Sequence, residues 1–568
     1  MIDREQKFNR FAECLKKIVC PDKTFTHLPL EHALDPTLWM DHLKPLLLEK
    51  CETVYAELND NISAKLNIIF KQIAEFFGRF YENGRPIYRY IVRKEKKSDC
   101  CLSEQLSPSS EDNYFLVSQG KELNLYPNLK QCLTRMLENL IKDRLFSKLP
   151  SGSKNSSDEM EICKGIRDIA AEIINWLADS ETKLVNTFTD IKHSKSVDYC
   201  MTLNRIPPEL LNHVLECNPL WEKWRNQAPE TFDMPLFNDI DIRKQLVMSH
   251  PHWVVETSCF ERSFITILEN ELANRKQSID GLLIKSDNFH ALRYLQRYFN
   301  DRIQCIYIDP PFNTFNRNFA YKDSFSPFGW KMMMNNRFKL ARNLLTGTGS
   351  IYVHIDTNQK LELLELMHKN FHVINEIIWR IGWVSGFKGK ANKYIRNHDT
   401  IIYAGKSSSP YFKKHYIPYP EGYQRRKGSS PQKGYPIEDT WNCSSADVLH
   451  SIQLMSFSKE KVAAGLMTQK NENLLERILK SSTKAGEWVM DYFAGTGTTC
   501  AAAHKMGRRW IGIDQGDMFD TYLLRRMINV ISGDPYGISS TYRWEGGGLF
   551  KIIHLESFEE CIDFQRSP

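Results

Sequence analysis

The 568-residue chain lacks any uninterrupted apolar run that approaches the roughly eighteen residues needed by a membrane-spanning helix. Its N-terminus, MIDREQKFNRF, also lacks the apolar block of a secretory signal. These absences predict a cytoplasmic protein with no membrane partner. With 42% hydrophobic residues the chain can bury more than one core, and at this length roughly two to four domains are expected.

Cysteine pairs with metal-binding or disulfide-forming spacing are also missing. The 14 cysteines include no Cys-x-x-Cys, and only Cys100 and Cys101 are adjacent. We therefore expect reduced thiols, no disulfide framework and no metal site. The formal net charge of +6 is small for this length. It does not by itself indicate a nucleic-acid-binding protein, so the distribution of charge along the chain matters more.

The pattern of apolar residues changes along the chain. The first 250 residues are mainly helical in pattern, with apolar side chains three and four positions apart, as at Ile166, Ile169, Ile173 and Leu177. From about residue 278, short apolar runs alternate with helical patterns, which is typical of an α/β domain with a mainly parallel sheet. Seven strands are predicted, at residues 282–285, 303–308, 350–355, 374–378, 400–404, 488–491 and 510–513.

The predicted strand 303–308 runs directly into Asp309-Pro310-Pro311-Phe312. Ligands of open α/β sheets bind at the carboxyl ends of strands. Each proline lacks an N–H donor, which leaves backbone carbonyls free to accept hydrogen bonds from a ligand. The Asp309 carboxylate and the Pro310 carbonyl can each accept one proton of an exocyclic amine, while Phe312 stacks on a base that has left the duplex. The alternative is that Asp-Pro-Pro is simply a strand-ending turn.

A glycine motif follows the predicted strand 488–491, with Gly495 and Gly497 at alternate positions ahead of a helix. Glycines there let the backbone approach a ligand closely. Asp514, seventeen residues after Gly497, ends the next predicted strand, about where an acid binds ribose hydroxyls. No third glycine stands in dinucleotide register. The pattern therefore favours a nucleoside cofactor without a pyrophosphate.

Together these motifs make residues from about 250 to 555 similar to the β-class amino-methyltransferases, and most of all to the modification subunits of type III restriction-modification systems. In that family the Asp-Pro-Pro-aromatic motif precedes the glycine motif, with the target-recognition region between them, as here. Residues 281–288, 330–356 and 468–475 extend the similarity. Asn471 and Tyr492 stand where the family usually has proline. The resemblance implies an α/β fold with a Rossmann-like, seven-stranded, mostly parallel methyltransferase sheet.

The resemblance also implies a reaction and its cofactor. It identifies a site-specific DNA methyltransferase that moves a methyl group from S-adenosyl-L-methionine to the N6 amine of a flipped adenine, in restriction-modification or phage-defence self-marking. Asp491 would meet the cofactor's amino group, and Thr498 or Thr499 its carboxylate at a helix N-terminus. The residues assigned to the cofactor are Asp287, Thr468, Lys470, Asp491, Phe493, Ala494, Gly495, Gly497, Thr498, Thr499 and Asp514.

The resemblance further divides the chain into four regions. Residues 1–250 form a helical domain for partner binding, dimerisation or DNA clamping, and residues 251–381 form the catalytic half of the methyltransferase domain. Residues 382–465 form the target-recognition region, and residues 466–568 the cofactor-binding half with a C-terminal extension. Type III systems imply a homodimer and a separate restriction or translocase subunit as partners.

Positive charge is concentrated in the predicted recognition region. Between Arg380 and Thr440 the sequence has twelve Lys or Arg against four Asp or Glu, interleaved with aromatic residues. Lysine and arginine neutralise phosphates and aromatic rings stack on bases, which predicts double-stranded DNA as the partner. For any single basic residue a solvated loop is the alternative. The predicted DNA-binding residues are Lys388, Lys390, Lys393, Arg396, Lys413, Lys414, Arg425, Arg426 and Lys427.

Two other functions remain open. Cytosine-N4 methylation uses the same geometry, but family members with that target usually have Ser where this chain has Asp309. A non-catalytic DNA-binding subunit would retain the fold and tend to lose the catalytic acid or the glycines, whereas Asp309, Phe312, Gly495 and Gly497 are all present. Methylation at carbon 5 of cytosine needs a thiol nucleophile, typically after proline. No Pro-Cys pair occurs in the chain, which excludes that chemistry.

Overall fold

A computed structural model describes residues 113–118, 121–142, 156–227, 239–314, 322–380, 394–419, 434–442, 458–463 and 468–558, together with isolated positions from 68 to 86 and at 392, 560 and 561. No helix in these ranges has the length and apolar content that crossing a bilayer requires. The chain divides into two compact units. Unit 1 comprises Met1–Asp190, Phe325–Asn336 and Phe558–Pro568, and unit 2 comprises Ile191–Ser324 and Arg337–Ser557.

The described helices are mostly amphipathic and follow the apolar spacing of the sequence. They are α1 (Leu129–Ile141), α2 (Ser156–Thr189), α3 (Leu211–Glu216), α4 (Asn218–Gln227), α5 (Ile240–Ser249), α6 (Arg262–Asn274), α7 (Asn288–Phe299), α8 (Pro327–Leu344), α9 (Lys360–Asn370), α10 (Glu472–Ser482), α11 (Thr498–Lys505), α12 (Gly516–Met518), α13 (Arg525–Ile531) and α14 (Ser539–Tyr542). Short 3₁₀ segments span Leu203–Arg205, Pro208–Leu210 and Thr257–Cys259, and a π-helical segment spans Phe519–Leu524.

The described strands are β1 (Tyr81–Glu82), β2 (Arg85–Pro86), β3 (Tyr114–Ser118), β4 (Lys121–Leu125), β5 (Ser194–Thr202), β6 (Val254–Glu256), β7 (Gly281–Lys285), β8 (Ile303–Ile308), β9 (Leu345–Ile355), β10 (His372–Arg380), β11 (His398–Gly405), β12 (Tyr416–Ile417), β13 (Tyr435–Pro436), β14 (Thr440–Trp441), β15 (Trp488–Asp491), β16 (Arg509–Asp514) and β17 (Leu549–Leu555).

In unit 1, the long helix α2 packs beside α1. The predicted apolar periodicity lies inside α2, where Ile166, Ile169, Ile173 and Leu177 are all buried. The described part of this unit also contains two antiparallel hairpins, β1 with β2 and β3 with β4. At the end of β4 the backbone N–H of Tyr126 donates to the Glu181 carboxylate of α2 at 2.8 Å.

Unit 2 is built on an eleven-stranded sheet with the order β14-β10-β11-β9-β8-β15-β16-β7-β17-β5-β6. The neighbours from β9 through β8, β15, β16 and β7 to β17 are all parallel. Strand β11 pairs antiparallel with β9 and β10, and β5 pairs antiparallel with β17 and β6. The predicted α/β class with a mostly parallel sheet is therefore confirmed.

All seven predicted strands belong to this sheet, but the predicted strand count was too small. Strands β5, β6, β14 and β17 enlarge the sheet at both ends. Strand β5 lies within the region predicted to be a helical N-terminal domain, so the sheet-forming part of the chain begins before the predicted boundary at residue 250. Strand β5 pairs with β17 more than 300 residues later in the chain, and local sequence pattern does not show such a contact.

Candidate active site

Four predicted site acids lie at one edge of the sheet. Asp309 directly follows β8, Asp491 ends β15, Asp514 ends β16, and Asp287 lies two residues beyond β7. Because β8, β15, β16 and β7 are consecutive parallel neighbours, their carboxyl ends lie side by side. The structure therefore brings the base-holding motif and the predicted cofactor acids together, at the edge where ligands bind in folds of this kind.

The Asp309 carboxylate makes one ion pair and leaves one oxygen unused. Its Oδ2 lies 2.6 Å from Nζ of Lys470, whose side chain is 9% exposed. Its Oδ1 is buried and has no hydrogen-bond partner. Buried polar atoms in proteins are nearly always hydrogen-bonded, so an unused acceptor calls for a functional explanation. The arrangement offers an oriented acceptor that no residue in the described ranges uses.

Aromatic and cationic groups line the space beside Asp309. The Phe312 ring is partly exposed, and Nζ of Lys470 lies 5.4 Å from its centroid. On another side, the Phe312 ring centroid lies 5.7 Å from that of His354. The resemblance assigned Lys470 to the cofactor, whereas in the structure its ammonium group contacts Asp309 and faces Phe312. Thr468 contributes its carbonyl oxygen, 3.4 Å from the same ammonium.

Asp323 holds the loop that follows Phe312. The backbone N–H groups of Asn313 and Thr314 donate to its two carboxylate oxygens at 2.9 and 3.0 Å, and the Thr314 hydroxyl donates as well. Asn313 has a φ of +59°, a left-handed conformation that costs a non-glycine residue energy. Asp323 is almost completely buried. It therefore stabilises an otherwise unfavourable backbone directly after the catalytic motif.

The glycine loop has the shape its sequence predicts. Gly495 and Gly497 have φ values of +52° and +79°, which glycine adopts without steric cost. A Cβ atom at Gly497 would lie 2.6 Å from Cδ1 of Leu523, whereas at Gly495 the nearest such contact, to a backbone oxygen, is at 3.9 Å. Gly497 is thus needed for close packing. Gly495 leaves open space in which backbone can approach a ligand.

Two carboxylates, on the buried Asp491 and the partly buried Asp514, define this loop. Asp491 accepts hydrogen bonds from the Thr499 hydroxyl at 2.6 Å and from the Phe493 N–H at 3.0 Å. Asp514 accepts from the Gly495 N–H at 2.6 Å. Burial raises the pKa of Asp491 to about 7 and that of Asp514 to about 6, despite these hydrogen bonds, which lower both values. Such perturbed acids in a cleft are typical of functional sites.

Asp287 caps a helix and also forms an ion pair. It accepts the Phe289 N–H at the start of α7 at 2.8 Å, and Arg337 contacts both carboxylate oxygens at 3.1 Å. Arg337 also donates to Asn288 at 2.6 Å, and Asn288 donates to the Tyr492 carbonyl at 2.8 Å. This network connects the end of β7 to the glycine loop. Burial raises the pKa of Asp287, but the charges of Arg337 and His290 and the hydrogen bonds from Phe289 and Arg337 together outweigh it, and the net pKa is lowered.

The two departures from the family pattern have different local effects. The Asn471 side chain accepts the Leu474 N–H at 2.9 Å and so caps α10, which replaces the helix-starting role of a proline with a capping hydrogen bond. Tyr492 is buried and its hydroxyl has no hydrogen-bond partner. The structure gives no explanation for that hydroxyl.

A buried charge cluster supports the glycine loop from behind. Lys505 and Glu472 are both fully buried, with Nζ at 3.1 and 3.0 Å from the two carboxylate oxygens. Lys505 also contacts Asp534 at 2.8 Å, and Arg526 contacts Glu472 at 3.0 Å. Arg526 in turn donates to the Thr498 hydroxyl at 2.9 Å. The cluster thereby fixes the start of α11, where the loop ends.

The predicted DNA-binding residues do not share one location. Lys388, Lys390, Lys393, Arg425, Arg426 and Lys427 lie outside the described residues. Arg396 precedes β11 at the catalytic edge, where its guanidinium lies 3.2 Å from Asp356 and 3.6 Å from Asp399. In this structure Arg396 is therefore engaged by two carboxylates.

Lys413 and Lys414 lie at the opposite edge of the sheet. Strand β11 runs antiparallel to β9, so it starts near the catalytic edge and ends at the other one. There the Lys413 N–H donates to the Ser481 carbonyl, at the end of α10, at 2.7 Å. Eight residues of strand span about 26 Å. Both lysines are exposed, but they lie too far from Asp309 to contact a base bound there.

Sequence reasoning missed several residues that shape the site. Arg337 and Glu472 act through partners distant in sequence, and Asp323 holds backbone nine and ten residues before it. His354 lies within a predicted strand, and Asp399 lies directly before one. His354 is fully buried, with Nδ1 3.0 Å from the Tyr307 hydroxyl and Nε2 3.3 Å from Asp399. The only sequence signal for His354 and Asp399 was their polarity beside buried strands, and polarity alone does not specify which residues they contact.

Comparison with known proteins adds to this geometry. A family model described as DNA methylase, for N6 and N4 methyltransferases, matches residues 303–521. This range contains Asp309 to Phe312, the glycine loop and Asp514. The chain resembles the DNA methylases. We call residues 303–521 the methylase region.

Individual relatives support the resemblance of the methylase region. A protein described as "probable type III restriction-modification enzyme HindVI Mod subunit", from Haemophilus influenzae, is 28% identical, with 50% of this chain and 55% of the relative covered. The type II methyltransferase M2.DpnII of Streptococcus pneumoniae is 27% identical, with 41% and 84% covered. The chain thus spans about half the length of the type III relative. A solved structure titled as a complex of M1.HpyAVI with SAM is 18% identical, with a TM-score of 0.29, and covers 43% of this chain and 99% of that one.

Proposed function

We propose that this protein transfers a methyl group from S-adenosyl-L-methionine to the N6 amine of an adenine flipped out of duplex DNA. The observation that carries the proposal is the Asp309 carboxylate, which Lys470 holds through one oxygen while the other is buried without a hydrogen-bond partner. Phe312 lies beside it, and a glycine loop with two buried acids lies on the neighbouring strands. The DNA methylase family match covers all of these elements.

The chemistry required of the protein is mainly positioning. The lone pair of an exocyclic amine is delocalised into the base, so the amine is a weak nucleophile. Asp309 Oδ1 accepts one amine proton and the Pro310 carbonyl accepts the other, which directs the lone pair out of the ring plane. Lys470 fixes the carboxylate orientation, and Phe312 stacks on the base. Asp309 then accepts the proton that the methylated amine must lose. Alignment and electrostatic stabilisation of this kind account for much of enzymatic rate enhancement.

The residues around the glycine loop fit the proposed cofactor. Gly495 leaves open space, and the N-terminus of α11 presents Thr498 and Thr499. The buried Asp491 and the partly buried Asp514 are acceptors for the amino group and hydroxyls of a nucleoside. By the same proposal, the rest of the cofactor site is lined by Asp287, Thr468, Phe493 and Ala494. When bound, S-adenosyl-L-methionine supplies an electrophilic methyl group on a sulfonium.

Adenine is favoured over cytosine as the target. Both bases present an exocyclic amine, and the matching family includes N6 and N4 enzymes. The family's N4 enzymes usually have Ser at the position of Asp309, and one relative is described as a type III Mod subunit. We further propose that the protein acts in the cytoplasm on double-stranded DNA, as a homodimer and with a separate restriction or translocase subunit. Basic residues of region 382–465, among them Arg396 at the catalytic edge, would contact that DNA.

Incubation with duplex DNA and cofactor labelled in the methyl group tests the proposal directly. We expect label in DNA and, after digestion, in N6-methyladenine. Cofactor binding without transfer to mixed-sequence DNA would instead indicate a non-catalytic subunit, and label in N4-methylcytosine would identify the alternative base.

We expect Asp323→Asn to lower kcat by about 10- to 100-fold, because a shift of the catalytic loop by one ångström has effects of that order. An amide cannot accept all three hydrogen bonds that the carboxylate now receives. Steady-state methylation kinetics measure the effect, and Asp179→Asn, at an exposed site in α2, is the matched control. Equal kcat for the two variants would show that the loop does not need Asp323.

We expect cofactor affinity to rise with pH up to about pH 7 and then level off. Burial raises the pKa of Asp491 to about 7, so below that pH the carboxyl is protonated and loses acceptor strength. The expected change is about tenfold in Kd for each pH unit below the pKa. Calorimetric titration from pH 5.5 to 8.5 measures it. Asp491→Asn should flatten the profile, and an equally steep profile in that variant would assign the titration to another group.

The Asp491 carboxyl also affects the stability of the protein without cofactor. Its pKa in the folded state is about 7, against 3.8 in the reference state, so folding favours the protonated carboxyl. That contribution to the free energy of unfolding is fully present below about pH 4 and is lost as pH rises through about 7. Denaturant unfolding without cofactor should show this loss, and Asp491→Asn should reduce it.

A further inference from the structure

Three unused polar atoms lie at the catalytic edge of the sheet. Asp309 Oδ1, Trp379 Nε1 and Asp399 Oδ1 are all buried, and none has a hydrogen-bond partner in the described part of the chain. Trp379 and Asp399 are direct register partners on β10 and β11, so their side chains project from the same face of the sheet. Leaving a buried donor or acceptor unpaired costs about 1–3 kcal/mol. Trp379 and Asp399 bring two such atoms side by side, which indicates a preformed polar binding site.

His354 connects Phe312 with these two residues. Its ring centroid lies 5.7 Å from that of Phe312 and 5.7 Å from that of Trp379. Its Nε2 lies 3.3 Å from Asp399 Oδ2, and its Nδ1 lies 3.0 Å from the Tyr307 hydroxyl. Both ring nitrogens are therefore engaged, and His354 satisfies only one oxygen of Asp399. The surface from Phe312 across His354 to Trp379 and Asp399, which we call the polar wall, is continuous.

Asp399 is ionised within this wall. Burial raises the pKa of its carboxyl. The hydrogen bond with His354 and the charges of His354, Lys470 and Arg396 lower this pKa by more, so the net pKa lies below its usual value. Arg396 approaches Oδ1 only to 3.6 Å. The same Arg396 nitrogen lies closer to Asp356, at 3.2 Å. Beside this ion pair, the wall offers one N–H donor, on Trp379, and one anionic acceptor, on Asp399.

We propose that Trp379 Nε1 and Asp399 Oδ1 determine the specificity for adenine. This inference rests on the proposed function and names the residues that read the base. The indole N–H donates to a ring nitrogen of the base held by Asp309. Adenine is the only DNA base without a carbonyl oxygen. Cytosine, guanine and thymine each have at least one carbonyl oxygen, which would face the Asp399 carboxylate. Repulsion between two acceptors rejects those bases, and rejection of this kind is stronger than discrimination by shape alone.

Trp379→Phe removes the N–H and keeps an aromatic ring, so it isolates the donor. Duplexes containing the target sequence with 1-deaza-, 3-deaza- or 7-deazaadenine at the methylated position each remove one ring nitrogen. For each protein, the loss is the ratio of kcat/KM with adenine to kcat/KM with the analogue. For one analogue this loss should be about 10- to 100-fold larger in the unmodified protein than in Trp379→Phe, because a hydrogen bond to a buried partner contributes discrimination of that order. A deaza substitution can also change the reactivity of the amine, but that change is the same for both proteins and cancels in the comparison. Equal sensitivity of the two proteins to every analogue overturns the role of Trp379.

Asp399→Asn tests the carboxylate. With cytosine in place of the target adenine, the unmodified protein should show little transfer, and the variant should reduce the preference for adenine by about 10- to 100-fold. An unchanged preference, with an unchanged melting temperature, overturns the role of Asp399. If Trp379→Phe does not fold, the base preference of Asp399→Asn decides the proposal alone. If the unmodified protein does not methylate adenine in any duplex, the proposed function fails, independently of the polar wall.

Discussion

Asp309→Asn is expected to lower kcat by about 10²- to 10³-fold, the loss typical when one electrostatic contact to the reacting group is removed. The amide keeps the shape of the carboxylate. However, Lys470 donates to one carboxylate oxygen in the present structure, and the other is the free acceptor. An amide offers a single oxygen, which can face Lys470 or the substrate amine but not both. Single-turnover methylation with saturating cofactor measures this loss.

The affinity for cofactor provides the control for Asp309→Asn. Asp309 follows β8, whereas the glycine loop follows β15, so calorimetric titration should give nearly the same Kd as for the unmodified protein. A variant that binds cofactor normally and transfers methyl groups at the normal rate would contradict the role of Asp309. A variant that loses cofactor binding as well would show that the Asp309–Lys470 pair supports the cofactor site.

Lys505→Met is expected to lower the free energy of unfolding by about 3–5 kcal/mol, because removing one member of a buried ion pair leaves the other charge uncompensated. Lys505 and Glu472 are both fully buried, and Asp534 also loses its 2.8 Å contact. Arg526 remains at 3.0 Å from Glu472 and compensates part of its charge. Denaturant unfolding followed by tryptophan fluorescence measures the change.

The matched control is Lys484→Met, at an exposed position. Nζ of Lys484 lies 4.9 Å above the Tyr411 ring, and loss of such a surface contact costs at most about 1 kcal/mol. Equal destabilisation by the two substitutions would show that the buried cluster contributes no more than a surface contact. Because α11 starts where Arg526 contacts Thr498, Lys505→Met should also weaken cofactor binding.

The sequence predicted the catalytic edge because its signals are local. An apolar run such as 303–308 identifies a buried strand, and consecutive parallel strands place their carboxyl ends together. These rules put Asp309, Asp491 and Asp514 at the carboxyl ends of predicted strands, and in the structure those strands are parallel neighbours. The glycines were predicted in the same way, since positive φ values at Gly495 and Gly497 follow from the turn between a strand and a helix.

The remaining features depend on contacts between distant parts of the chain. Lys470 is 161 residues from Asp309 in sequence, and no local pattern pairs them. Lys413 and Lys414 were grouped with Arg396 because the charge density is continuous, but β11 runs antiparallel to β9 and separates them across the sheet. Strand direction is set by the pairing of whole strands, which charge patterning does not reveal. The unpaired atoms of Trp379 and Asp399 likewise become visible only once the two strands pair.

Single-molecule sequencing of DNA from cells that express this protein, compared with cells that express Asp309→Ala, tests the central claim most directly. It reports the modified base, its position and the surrounding sequence together. The proposed function predicts N6-methyladenine at one recurrent sequence with the unmodified protein and its absence with Asp309→Ala. Adenine signals that are the same in both cultures would contradict it.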